Sequence, residues 1–324
     1  MKSRCRVLLA GSVLLSSTLL LTACEGIGRG MAESDMRAHN ARYAAQGNPQ
    51  FSDPQLRAVV QRFEADFAAI GFDTGKLGLD QGTPCPATQE AAFRTVFGMT
   101  PQAHAAMEAE VAQKVPGYTG IADPDAVRLV TLQGVCGANG PEGPAVVVGT
   151  QRTITRYRGE GYSNVTVTDA VMRIDATWID GERREPRSLV MISQSAPFKE
   201  TAEGQLAEDI NDWAYINEMR EAPAATYIYF VTNPDGSMKY QVTFSRNDGA
   251  GVYGTAVREF RDAQHSYARN WQGTELISEA SYKNGELHGW HVVHPTSYNG
   301  TPIPGRRDCY QNGELVKALE CPAG

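Results

Sequence analysis

The sequence predicts an α+β fold: a small N-terminal helical unit followed by a mostly antiparallel β body built of hairpins. Three observations carry this. Between residues 51 and about 118, apolar residues recur at helical spacing behind helix-start residues. From about Val127 the period changes to two, in β-branched runs separated by Gly, Pro and Asp. Near the end, a Tyr-x-Asn-Gly-Glu-Leu frame occurs twice, from Tyr282 and from Tyr310. Asn-Gly between alternating runs is the strongest short hairpin signal.

The chain opens with Lys2, Arg4 and Arg6, an apolar run from Val7 to Leu21, and then small residues. That order describes an export signal. The run of about 15 apolar residues is short for a bilayer span, which needs roughly 20. It closes on Leu21-Thr22-Ala23-Cys24, which resembles the lipobox of bacterial lipoproteins. The resemblance implies that residues 1–23 are a lipoprotein signal peptide and that Cys24 becomes the first mature residue, carrying lipid (a diacylglyceryl group and an acyl chain such as palmitate). Glu25, where an Asp would favour the inner membrane, implies the outer membrane, facing the periplasm. Buried methylenes contribute about 0.8 kcal/mol each, so several chains anchor durably. The lipid is then the expected membrane contact.

Residues 24–50 are Gly- and polar-rich and are expected to be a tether. Residues 51–122 form the helical unit. In its first helix Ser52 or Asp53 is the cap and Pro54 sits in the first turn. Leu56, Val59, Val60, Phe63, Phe67 and Ile70 then make one apolar stripe. "ATQEAAFRTVF" and "TPQAHAAMEAEVAQKV" are two further short helices, the second capped by Thr100 with Pro101 behind it.

Residues 123–324 form the antiparallel β domain. "RLVTLQGVC", "PAVVVGTQRTITRY", "NVTVTDAVMRIDATWID" and "RSLVMIS" are its first strands. Leu206, Ile210, Trp213 and Met219 suggest a helical insertion near 202–219. "ATYIYFVTNPDGSMKYQVTFSR" is a strand, a Pro-Asp-Gly turn and a second strand.

Taking Asn284-Gly285 as a two-residue turn places Lys283 opposite Glu286, Tyr282 opposite Leu287 and Ala280 opposite Gly289. With Asn312-Gly313 as the second turn, Gln311 faces Glu314, Tyr310 faces Leu315, Cys309 faces Val316 and Asp308 faces Lys317. Each copy thus sets an aromatic–aliphatic pair on one face, beside an opposite-charge pair, worth about 0.2–1 kcal/mol per pair. "YKNGELHGW" resembles a MORN repeat, closely over Tyr282 to Trp290 and in part over Tyr310 to Val316, which lacks the second glycine. "CGANGPEGPAVVV" and "SRNDGAGVYGTAV" are looser cousins, so MORN-like hairpins are expected across 245–317. The resemblance implies stacked antiparallel hairpins serving as an interaction surface, with Tyr282, Asn284, Gly285, Gly289, Tyr310, Asn312 and Gly313 as structural positions.

The chain carries 30 Lys+Arg against 37 Asp+Glu, a net charge of −7. Loss of residues 1–23 removes three basic residues and no acid, which moves the balance to −10. With no Lys/Arg cluster, nucleic-acid binding is not expected. Cys5 leaves with the signal and Cys24 takes lipid, leaving Cys85, Cys136, Cys309 and Cys321 for an oxidising compartment. Three connectivities are possible. The sequence-local one is Cys85–Cys136 with Cys309–Cys321, each worth about 3–4 kcal/mol by loop entropy. In the hairpin register a Cys309–Cys321 bridge requires the last residues to fold back.

No HExxH, Gly-x-Ser-x-Gly or Walker lysine loop occurs. On an extended strand His288 and His294 stand about 20 Å apart and His291 points to the opposite face, so the three do not share a metal. Glu208, Asp209 and Asp212 lack calcium-loop spacing. No catalytic residue, metal or cofactor is therefore expected. The expectation is a lipid-anchored envelope protein that binds an unidentified envelope protein. Two alternatives are an immunity-type lipoprotein that neutralises a periplasmic toxin and an envelope hydrolase with an unrecognised site.

Overall fold

The computed structural model of the chain describes residues 38, 41–85, 88–159, 162–200, 206–208, 222–248, 253–298 and 301–322. The expected signal peptide, Cys24, the expected tether up to residue 37 with residues 39 and 40, and residues 202–205 and 209–219 of the expected insertion lie outside these.

Three helices follow the sequence signals closely. Helix α1 spans Pro54–Ile70, α2 spans Gln89–Phe97 and α3 spans Pro101–Lys114. Asp53 caps α1, accepting from the N–H groups of Gln55 (2.7 Å) and Leu56 (3.3 Å), and Pro54 needs no such partner. Thr88 and Thr100 cap α2 and α3 in the same way, through Ala91 and Ala103. Among the described residues no helix is long and apolar enough to cross a membrane.

Fifteen strands form one antiparallel sheet in the described residues. Its first part comprises β1 (Thr83–Pro84), β2 (Tyr118–Ala122), β3 (Leu129–Gly137) and the long β4 (Gly140–Gly159), β5 (Tyr162–Ile179) and β6 (Glu182–Glu200). The short β7 (Leu206–Glu208) is followed by β8 (Ala224–Thr232), β9 (Met238–Asn247) and β10 (Tyr253–Phe260). Next come β11 (His265–Gln272), β12 (Glu275–Lys283) and β13 (Glu286–Val293). A side hairpin of β14 (Thr296–Tyr298) and β15 (Thr301–Ile303) precedes β16 (Arg306–Gln311) and β17 (Glu314–Val316). The order runs β1-β3-β4-β5-β6-β8-β9-β10-β11-β12-β13-β16-β17, with β2 beside β4 and β7 beside β6. This is a meander of nearest neighbours, the topology that short turns permit.

Both faces of the sheet are buried where the long strands lie. On one face, α1 sets Leu56, Val59, Val60 and Phe63 against Val148, Val190, Ile192, Tyr227, Val242 and Phe244. The Phe63 and Phe244 rings stack at 3.9 Å. On the other face, α2 sets Ala92, Phe93 and Val96 against Val147, Met172, Ile174 and Trp178. Val147 and Val148 are adjacent, so they point to opposite faces, and both are fully buried. Hence "AVVV" is a continuous apolar run rather than an alternation. Each such buried side chain contributes about 1.5–3 kcal/mol.

Three expectations need correction. Leu206 begins strand β7, not a helix: β6 runs past its pairing with β8 at Ser193, and its Phe198–Glu200 end pairs with Leu206–Glu208. That pairing satisfies backbone groups that would otherwise stay open. The tether is docked from residue 41 onward: Tyr43 is 1% and Asn48 5% exposed. Gln46 donates to Glu275 (3.0 Å), and the Asn48 amide donates to Glu64 (3.1 Å). The third correction is one of register, and it falls in the repeated hairpins.

Candidate functional site

The two Asn-Gly turns have the geometry the sequence predicts. Asn284 and Gly285 sit at φ 52° and 87°, Asn312 and Gly313 at 50° and 83°. Both central residues at positive φ define the hairpin turn that matches strand twist. Tyr282 pairs with Leu287, Tyr310 with Leu315 and Cys309 with Val316, as expected.

Past the first turn the register shifts by a bulge. Ala280 pairs with His291, not with Gly289. Gly289, at φ 96°, takes up the bulge and pairs with Tyr310 of the second copy. A glycine costs nothing at positive φ, which is why the irregularity falls there. The ring that lies across from Gly289 is thus the next hairpin's tyrosine rather than Tyr282. Asp308 pairs with His291, and β17 stops at Val316 before Lys317. The Gly313 N–H donates to Leu287 O at 2.8 Å, tying the second turn onto the first hairpin.

The four described cysteines pair locally. Cys85 and Cys136 are bridged with Cα atoms 5.5 Å apart, and Cys309 and Cys321 with Cα atoms 5.7 Å apart. The last residues fold back through a short 3₁₀ turn at Ala318–Glu320, which brings Cys321 to Cys309 although Val316 is its strand partner.

The hairpin ladder has two unlike faces. One carries Tyr282, Gly289, Tyr310 and the exposed Leu315. The other continues the face covered by α1, and there the residues change from core to aromatic–arginine. Arg269 lies 6.0 Å from the Tyr267 ring and 5.4 Å from Trp271, and Arg307 lies 3.8 Å over Trp290. Tyr267 donates to Glu279, and the Glu279 carboxylate stands 3.3 Å from His294 Nε2. Burial and then Glu279 push the Tyr267 phenol up to about 12. Trp271 packs on the α1 core and edge-on to Phe51 (5.3 Å), whereas Tyr267, Arg269, Trp290 and Arg307 are half-buried or exposed and stand outside that cluster. His291 sits on the opposite face, 6.2 Å from Tyr310, and His288 contacts Asn312 at 3.1 Å. The three histidines are thus dispersed. Among the described residues no group of three His, Cys, Asp or Glu side chains is placed to hold a metal ion.

A second feature has no counterpart in the sequence reading: a cleft of about 460 Å³ between α3 and β2. Helix α3 faces it with Ala105, Ala109 and Ala112, so no large side chain fills the space. His104 is 8% exposed, edge-on to Phe93 (5.9 Å) and Phe97 (5.2 Å). One turn on, Glu108 Oε1 stands 3.9 Å from His104 Nε2. Glu108 Oε2 is buried, and the Tyr118 hydroxyl is hydrogen-bonded to the same carboxylate. Gly120 makes the position possible, since a Cβ there would overlap the Glu108 carboxylate. Burial, then the Glu108 charge and the hydrogen bond to it, raises the pKa of the adjacent Tyr118. The His-x-x-x-Glu spacing on a helix was visible in the sequence, but the pairing of β2 with β4 that closes the floor was not.

No family model matches this chain, and neither does any curated protein or solved structure.

Proposed function

We propose that this is a cell-envelope lipoprotein, lipid-anchored at Cys24 on the periplasmic side of the outer membrane, which binds a protein partner through its hairpin ladder. The binding face is the one that bears Tyr267, Arg269, Trp290 and Arg307. The observation that carries this reading is the pairing of partly exposed aromatic rings with guanidinium groups beyond the reach of α1. Aromatic residues and arginine are the side chains enriched in protein interfaces and their hot spots. The rigid ladder pre-positions them, which limits the ordering cost of association.

The test is capture of the tagged full chain from crosslinked envelope fractions, beside a Cys24→Ala variant and a Trp290→Ala/Arg307→Ala double variant. A stoichiometric partner retained by the parent and lost from the double variant supports the reading. A dedicated toxin as that partner would place the protein in the immunity class. Equal capture by the double variant overturns the assigned face.

A further inference from the structure

We infer that Asn284 is a site of self-modification: the backbone nitrogen of Gly285 attacks its side-chain amide and converts it to aspartate and isoaspartate, with water as the only co-reactant. This stands apart from partner binding by the ladder. The two hairpin turns supply an internal comparison. Both read Asn-Gly-Glu-Leu, both hold Asn and Gly at positive φ, and Asn284 and Asn312 are both exposed. Glycine leaves its nitrogen unhindered, so the chemistry is equally favoured by the local sequence at each. What separates the two turns is the fold around them.

The second turn is held at both reacting groups. Its attacking nitrogen would be that of Gly313, whose N–H donates to Leu287 O at 2.8 Å. The group under attack would be the Asn312 side chain, and His288 Nδ1 stands 3.1 Å from its Oδ1. At the first turn neither group is held. Among the described residues no hydrogen bond reaches the Gly285 N–H or the Asn284 side chain. The Asn284 N–H donates to Gln264 O at 2.7 Å, but that nitrogen takes no part in the reaction. A Cβ at Gly285 would meet nothing within 4 Å, so the turn has room to open to the reacting geometry. At Asn139-Gly140 packing closes that route: Gly140 is buried, and a Cβ on it would stand 2.9 Å from Gly181 Cα. Asn299-Gly300 lies outside the described residues.

Water alone balances the reaction. The Gly285 nitrogen gives up its proton and bonds to Asn284 Cγ, and ammonia leaves. Water then opens the cyclic imide at either carbonyl, breaking one imide C–N bond and leaving an aspartyl or isoaspartyl residue. Either product adds a carboxylate near Glu286, and the isoaspartyl form lengthens the backbone of the turn by one carbon.

The experiment incubates the purified full chain at neutral pH in heavy-oxygen water, folded and in urea, and maps its peptides by mass spectrometry. In the folded chain Asn284 should take up label about tenfold faster than Asn312, the effect of about one hydrogen bond on local opening. In urea the two rates should converge, since the local sequences match. His288→Ala should speed the reaction at Asn312 and leave that at Asn284 unchanged. Equal rates in the folded chain overturn the proposal, as does a difference that persists in urea or an Asn312 rate unmoved by His288→Ala. So does a folded chain in which Asn284 stays intact while the unfolded chain converts.

Discussion

Arg246 donates from Nη2 to the side-chain oxygen of Asn48 at 2.5 Å, joining residues 198 positions apart. Arg246 is 3% exposed, and its guanidinium lies against the rings of Tyr253 (3.7 Å), Phe63 (4.7 Å) and Phe244 (5.7 Å). Its other group, Nη1, donates to Gly254 O (2.6 Å) and Ser245 O (2.9 Å). Among the described residues no carboxylate pairs with it, and burial pulls its pKa down to about 10. A charge held by neutral oxygens and ring faces depends on each of them.

Asn48→Ala should therefore destabilise the protein by about 2–3 kcal/mol, because it leaves a buried charged donor short of an acceptor. The same change should release the 41–50 segment, which is otherwise held by Tyr43, Gln46 and Asn48. Urea unfolding measures the first effect, and limited proteolysis near Arg42 the second. A stability within about 0.5 kcal/mol of the parent, the usual range for a surface substitution, would show that the docking is incidental.

Alkaline pH tests the tyrosine shell of the same core. Tyr229 donates to Asp66 (2.7 Å) and Tyr227 to Gly71 O (3.0 Å). Burial, then Asp66, raises both phenols far above their ordinary value. Tyr240 is pushed up to about 12 by burial and Asp53. A phenol whose pKa is raised on folding contributes stability that is present below pH 10 and is lost as pH rises to the folded value. Arg246 acts oppositely: the cost of burying its charge is relieved as pH climbs from about 10 towards 12.5. The tyrosines outnumber it, so the urea midpoint should fall between pH 10 and 12. Tyr229→Phe should flatten that fall while costing about 1 kcal/mol at pH 7 for the lost hydrogen bond.

What the sequence disclosed follows the range of the forces involved. The α1 stripe, the caps at Asp53 and Thr100, and both Asn-Gly turns were legible because each depends on residues within one turn of each other. Docking of residues 41–50 was not, since Tyr43 and Asn48 meet Gly273 and Arg246 across about 200 positions. Nor was strand β7, whose pairing is fixed by how far β6 outruns β8. The bulge at Gly289 was half legible: the glycine stood out, but its partner was assigned from a regular ladder. Of the cleft, the His104–Glu108 spacing could be read, while the opposing Gly120 and Tyr118 needed the sheet.

The Gly289 bulge gives a local prediction. A side chain at φ 96° costs about 1–3 kcal/mol. Gly289→Ala should reduce stability by that amount and loosen the pairing with Tyr310, read as faster amide exchange in β16 and β17. Asn284→Gly, at a turn position where both residues tolerate positive φ, should change stability by less than about 0.5 kcal/mol. Comparable effects of the two substitutions would mean that the bulge is not the constrained point of the ladder.

The C-terminal bridge bears on the open edge of the sheet. Strand β17 is three residues long, and Leu315 on it is 67% exposed. An unpaired edge with an exposed leucine is a template for pairing with another chain. The fold limits this by shortening the strand and by folding the tail back through Ala318–Glu320, where the Cys309–Cys321 bridge fixes it. Replacing both cysteines with alanine removes a loop constraint of 12 residues, worth about 3 kcal/mol in the chain-entropy model. Because the bridge constrains only the last hairpin, the loss should appear as rapid exchange of the Cys309 to Val316 amides with the α1 core still protected. Light scattering should then rise with concentration as freed edges meet. Uniform loss of protection instead would show that the bridge supports the whole sheet, and unchanged scattering would show that the short strand alone suffices to guard the edge.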